Sequence, residues 1–217
     1  MSFKTYFILW VILFCFGFPA GVFGQYIQKE TVGGKTYAVI HSDGLAGAAQ
    51  WGLGVKIMRN GTTIRHQADK GNGLNLSVND RIPFRFIVAS GDVENNNGTW
   101  MAVQGVNDGG QNLNPDFTTT ANTGCRWYGT VGAPGAGRTW RVPTQRELQL
   151  MWMFREPIGL IYKNNPMEEA GKTKRYWSST EKGADQAWFF DFTPGIPYCD
   201  TQAKSTANGM VRCVSDY

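Results

Sequence analysis

One stretch, Gly137-Arg138-Thr139-Trp140-Arg141-Val142-Pro143-Thr144-Gln145-Arg146-Glu147-Leu148 and on to Phe154, constrains the fold of this chain more than any other. Thr144 followed three residues later by Glu147 is a capping box, in which each side chain satisfies a backbone N–H at the helix start. Pro143 biases Val142 toward an extended conformation, so a straight segment runs into the helix. Within 148–154 only Gln149 is polar. Leu148, Met151 and Trp152 form an i, i+3, i+4 stripe that Leu150, Met153 and Phe154 widen, which predicts a helix covered on several sides. Pro157 predicts its end at Glu156. The expectation is a short central helix packed under a sheet made mostly of the residues C-terminal to it, with Trp140, Arg141, Thr144 and Glu147 as structural residues.

After the helix, residues 163–174 read as a charged, exposed excursion. Three strands then close the chain, at 175–180, 187–192 and 210–215. In the second, Trp188, Phe190 and Phe192 point one way while Phe189 and Asp191 point the other. In the third, Val211 and Cys213 face opposite to Arg212 and Val214. Pro194-Gly195 marks a turn. The long polar connection 193–209 offers Tyr198, Asp200, Gln202, Lys204 and Asn208 to solvent, either as a contact surface or as a plain solvated loop. Upstream, 25–89 reads as strands and hairpins. Residues 35–41 alternate around Tyr37 and Val39, and Asn60-Gly61 is a strong hairpin signal. Leu74, Leu76 and Val78 share one strand face; Ile82, Phe84, Phe86 and Val88 share another, with Pro83 predicting an edge strand. These strands form either a sheet of their own or the first half of a larger one. Residues 100–106 are a short apolar segment between polar loops, and the glycine-rich 132–137 reads as a flexible connector, since it lacks a phosphate-loop ending.

With 217 residues, 42% of them hydrophobic, the chain can bury one substantial core or two small ones. A net charge of +4 with scattered Lys and Arg excludes a nucleic-acid footprint. Lys4, an apolar run over 6–18 and Gly21-Val22-Phe23-Gly24 predict an export signal (1–24) cleaved after Gly24. An uncleaved anchor is the competing reading, against which Gly17 and Pro19 break the run. Membrane contact is then confined to export. The mature chain keeps Cys125, Cys199 and Cys213, which allow one disulfide in three pairings with one thiol left over. Without a C-x-x-C, and with His41 and His66 far upstream, neither a metal site nor a cofactor is expected.

Cys125, Trp140-Arg141-Val142-Pro143-Thr144 with Glu147-Leu148, Tyr176-Trp177-Ser178-Ser179-Thr180, Ala187-Trp188-Phe189-Phe190-Asp191-Phe192, Lys204 and Val211-Arg212-Cys213-Val214 succeed one another in that order. On these motifs the chain from about Trp100 to Tyr217 resembles the Legionella collagen-like protein C-terminal domain family, close to the Fibrobacter major paralogous domain. Both are similar to the C-type-lectin and formylglycine-generating-enzyme superfold, and related exported proteins include fimbrial-tip and surface adhesins. The resemblance implies an α+β fold: a C-type-lectin-like domain at 91–217 with a central capped helix and antiparallel sheet, preceded by a β-rich region at 25–90. It also implies a Cys125–Cys213 disulfide, worth about 3–5 kcal/mol by chain entropy, with Cys199 as the spare thiol.

Catalytic machinery is hard to find in the residues. No Gly-x-Ser-x-Gly occurs, and both histidines sit in strand-like segments, each read as half-exposed. Trp177, Trp188, Arg141 and Arg212 read as structural, the arginines pairing with carboxylates or carbonyls around the helix start. For recognition, Tyr198, Asp200, Gln202, Lys204 and Asn208 are the candidates, with Trp127 as a stacking platform. The expected function is non-catalytic: an exported, cell-surface or fimbrial-tip protein binding a glycan or protein, with other fimbrial subunits as further partners. The alternatives are an exported enzyme, either a hydrolase or a formylglycine-generating-type oxidase, and a structural pilus subunit that pairs strands with a neighbour.

Overall fold

A computed structural model describes residues 26–43, 84–105, 123–130, 132–163, 165–183 and 185–217, the side chains of 94–97 excepted. The export signal, the Asn60-Gly61 hairpin, the strand around Leu76, Pro83 and His66 lie outside the described residues. Strand β1 (Ile27–Val32) and strand β2 (Lys35–His41) form a hairpin closed by Gly33-Gly34. Their φ values of 58° and 77° are the left-handed pair that a two-residue primed turn requires. Strand β3 (Arg85–Val88) pairs antiparallel with β2 on one side and with β9 (Val214–Asp216) on the other, giving the order β1-β2-β3-β9. The second sheet contains β4 (Val93–Gly98), β8 (Gly209–Val211), β5 (Arg175–Glu181), β6 (Gln186–Asp191) and β7 (Tyr198–Ala203), in that spatial order. Four short helices accompany the sheets among the described residues: α1 (Trp100–Gln104), α2 (Gly124–Tyr128), α3 (Gln145–Met153) and α4 (Arg155–Ile161). The architecture is α+β.

Burial explains where the strand pattern departs from simple alternation. Every residue of β2 from Tyr37 to His41 is buried. Val39 faces a cluster with Trp100, Trp140, Trp177, Cys125 and Cys213, while Ala38 and Ile40 face another with Leu148, Met151, Tyr176 and Phe192. A strand covered on both faces reads as a continuous apolar run. Phe84, Phe86 and Val88 do share one cluster. Yet β3 is an interior strand, contrary to the edge position inferred from Pro83. Among the described residues the β2–β3 ladder begins at Arg85.

The capping box at Thr144 is present, with Glu147 N–H donating to Thr144 Oγ1 (3.2 Å) and Thr144 N–H donating to Glu147 Oε2 (2.8 Å). The helix differs from expectation at its other end. It stops at Met153, and α4 begins afresh at Arg155 with Pro157 in its first turn, where a missing N–H costs no hydrogen bond. Its cover is also one-sided: Leu148, Leu150 and Met151 are buried, whereas Met153 is 54% exposed. Helix α4 is tied to the first sheet through Tyr162, whose hydroxyl accepts from Ala38 N–H and donates to Val88 O, both at 2.7 Å. Ala38 and Val88 are ladder partners, so this hydroxyl sits between two central strands.

Three further expectations need correction. The last strand divides into β8 and β9, which belong to different sheets. Cys213 is held by its disulfide to Cys125, and Arg212 turns away to Asp92, so the chain changes sheets between them. Residues 163–174 are not simply exposed: Met167 is fully buried, and Lys174 reaches Asp92 (3.1 Å) and the Pro166 carbonyl (2.6 Å). The glycine-rich 132–137 packs as turns against Trp140, whose Nε1–H donates to Gly135 O at 2.8 Å. Residues 100–104 form helix α1, capped by Thr99.

His41 is 5% exposed, more buried than its strand position suggested, and its Nδ1 accepts from Asp43 N–H at 3.2 Å. Burial holds its pKa below the ordinary 6.5, against the pull of the Asp43 and Glu30 carboxylates. The unfolded chain therefore takes up the proton first as pH falls. Stability should be full above pH 6.5 and decline below it until the folded pKa is passed. Urea titrations between pH 7.5 and 5 should show that decline, and His41→Gln should remove it; an unchanged slope in the variant would assign the pH dependence elsewhere.

Candidate functional site

The connection expected between 193 and 209 holds a strand. After the turn at Pro194-Gly195, β7 runs back antiparallel along β6 and forms one edge of the second sheet. Register then does what the loop reading could not. Arg175, Asp191 and Tyr198 stand in one row across β5, β6 and β7. Trp177, Phe189 and Asp200 form the next row, and Ala187 with Gln202 the one beyond. Side chains two apart share a strand face, so all three rows look the same way.

The row around Arg175 is held by several bonds. Its Nη2 donates to Tyr198 Oη (2.9 Å) and to Asp191 Oδ2 (3.3 Å), and its Nη1 to Gln202 Oε1 (3.4 Å). The guanidinium lies 4.7 Å from the centroid of the Phe189 ring, against which Tyr198 packs edge-on at 5.7 Å. Asp191 is buried and also accepts from the Thr193 N–H and hydroxyl. Gln202 and Asn208 exchange amide hydrogen bonds, with Gln202 Nε2 to Asn208 Oδ1 at 2.6 Å and the reverse bond at 3.1 Å. Asp200 is exposed, and one of its oxygens accepts from Thr201 N–H. The result is a polar and aromatic patch in which Arg175, Tyr198, Gln202 and Asn208 hold one another in place.

Four of the sequence candidates, Tyr198, Asp200, Gln202 and Asn208, thus come together. Lys204 does not join them. Its ammonium pairs with Glu181, both side chains are 0% exposed, and it lies 4.5 Å over the Trp100 ring. Its place in a polar connection suggested a surface residue; the lysine instead closes a buried ion pair under the end of β7. Trp127 is carried by α2 and is half-buried, and its carbonyl accepts from the Thr130 hydroxyl. Trp177 is core, as expected, while Trp188 is only half-buried. Arg175 is a member of this patch that sequence reasoning missed. As the first residue of a predicted strand it carried no signal of its own; the pairing of its row with Asp191 supplies one.

Cys199 projects from the opposite strand face, where its Sγ accepts from Gln145 Nε2 at 2.8 Å. Burial pushes this thiol above its ordinary pKa, so it is a poor nucleophile at neutral pH. Arg141 meets the helix start as expected, with Nη1 and Nη2 each 2.7 Å from a Glu147 oxygen. Arg212 differs: it binds Asp92 (2.5 Å), Ala89 O and Asn165 O, away from the helix start. Among the described residues, no three His, Cys, Asp or Glu side chains gather as a metal ion would require.

Asp92, the carboxylate that Arg212 grips, is also the first residue of a segment shared with a known family: residues 92–215 match the Lcl C-terminal domain. The chain belongs to the Lcl C-terminal domain family. Comparison with curated proteins and with solved structures finds no match. The Lcl C-terminal domain and its Cys125–Cys213 disulfide fit a secreted or surface protein. No helix among the described residues is long and apolar enough to cross a membrane.

Proposed function

We propose that this is an exported surface protein, cleaved after Gly24, whose Lcl C-terminal domain has a C-type-lectin-like fold and binds a glycan or protein without turning it over. The setting is the cell surface or a fimbrial tip. The observation that carries the reading is the patch along the β7 edge, where Tyr198, Asp200 and Gln202 share a face with Arg175 of β5, and Asn208, just beyond β7, pairs with Gln202. Tyr and Arg held rigid by neighbours are the residue types that contribute most to interfaces, because little conformational freedom is lost on binding. The intrachain disulfide supports an oxidising compartment.

The test is a glycan and extracellular-matrix array probed with the purified chain starting at Gln25. Tyr198→Ala with Asp200→Ala should reduce binding by roughly tenfold or more, the scale of a lost anchor residue, while the variant still unfolds cooperatively. Equal binding by a folded double variant would reject the β7 surface. Release of altered ligand during incubation would reject binding without turnover.

A further inference from the structure

Resting on the β7 patch as the binding surface, we infer that its ligand is a neutral saccharide bearing adjacent hydroxyls, and that Arg175 sets specificity as a positioning residue rather than as a charge offered to the ligand. Charge comes first. The guanidinium of Arg175 is 3.3 Å from the buried Asp191, and Asp200 adds a second carboxylate in the next row. The patch therefore offers an anionic ligand no net attraction, and an acidic sugar would meet Asp200 at the exposed edge.

Geometry comes second. The guanidinium lies on the Phe189 ring and reaches Tyr198 Oη through Nη2 and Gln202 Oε1 through Nη1. A planar fork can hold a phenol and an amide at fixed spacing; an ammonium cannot. Gln202 is also paired with Asn208 through both amide groups. The phenol and the amides can donate to and accept from hydroxyls, the Asp200 carboxylate can accept from them, and Tyr198, 40% exposed, offers ring surface to the C–H face of a sugar.

The experiment uses the chain from Gln25 onward against immobilised neutral hexose and N-acetylhexosamine oligosaccharides, and against sulfated and uronic-acid oligosaccharides. Neutral probes should bind, with affinity changing less than about twofold between low and physiological salt, because no ion pair with the ligand is involved. Arg175→Lys and Arg175→Gln should both weaken binding by roughly tenfold, the scale of losing hydrogen bonds to a charged group. Restoration by lysine would show that charge alone suffices and would overturn the positioning role. Preference for sulfated or uronic probes with steep salt dependence would overturn the neutral-ligand inference while leaving the β7 surface standing. Silence toward every saccharide, with a protein ligand bound in a Tyr198-dependent way, would overturn the saccharide class alone. Binding that ignores Tyr198 and Asp200 would remove the surface itself.

Discussion

A chain shortened to 92–217, the start of the family match onward, is expected not to fold. The cut removes β1, β2 and β3, leaving β9 with the Arg141–Val214 bridge as its remaining pairing among the described residues. Ala38, Ile40, Phe86 and Val88 leave one core cluster, and Tyr37, Val39 and Ile87 leave the other. Tyr162 loses both hydrogen-bond partners, and Arg212 loses the Ala89 carbonyl. Each of these groups is buried, so the loss is both of apolar cover and of satisfied polar atoms. Against a total stability of about 5–15 kcal/mol for a native protein, losing one layer from two cores leaves no margin. The purified fragment should show no cooperative thermal transition, whereas the chain from Gln25 should show one. A cooperative melt from the fragment would mean that the first sheet is dispensable.

The largest point-mutation effect should come from Glu147→Ala. The Glu147 side chain is 0% exposed and pairs with Arg141 through both oxygens, while one oxygen also accepts from Thr144 N–H. Burial works against the charge on Arg141, but the Glu147 and Asp216 carboxylates more than offset it and raise its pKa. Removing Glu147 leaves that guanidinium with the Asp216 carboxylate at 2.8 Å and opens the helix start. Breaking a buried pair by deleting one partner costs about 3–5 kcal/mol. Chemical denaturation should find a loss of that size, with Glu147→Gln losing less because an amide oxygen can still cap Thr144. A loss under about 1 kcal/mol would mean that the pair is solvated in solution.

The helix start was legible because its signal is local: capping, a preceding proline and a 3.6-residue period are written into one short stretch. The α3–α4 break was not, since Pro157 suits a first turn as well as it ends a helix, and only packing selects between them. Strand faces in 187–192 were legible from alternation. The status of β7 was not, because Tyr198, Asp200 and Gln202 alternate with residues too small or polar to look like a buried face, and an edge strand needs none. Lys204 shows the limit most clearly. Nothing in a polar stretch tells which lysine finds a buried carboxylate 23 residues upstream. The split of the final strand likewise depends on Arg212 meeting Asp92, a partner 120 residues away in sequence.

The first sheet carries β1 and β9 at its two edges, and the Tyr217 hydroxyl bonds Glu30 across them at 2.5 Å, with Arg85 stacked on the tyrosine ring. Tension applied between Tyr26 and Tyr217 would therefore be borne by that ladder and its ionic clasp. The β7 edge lies in the other sheet and stays out of that line of force.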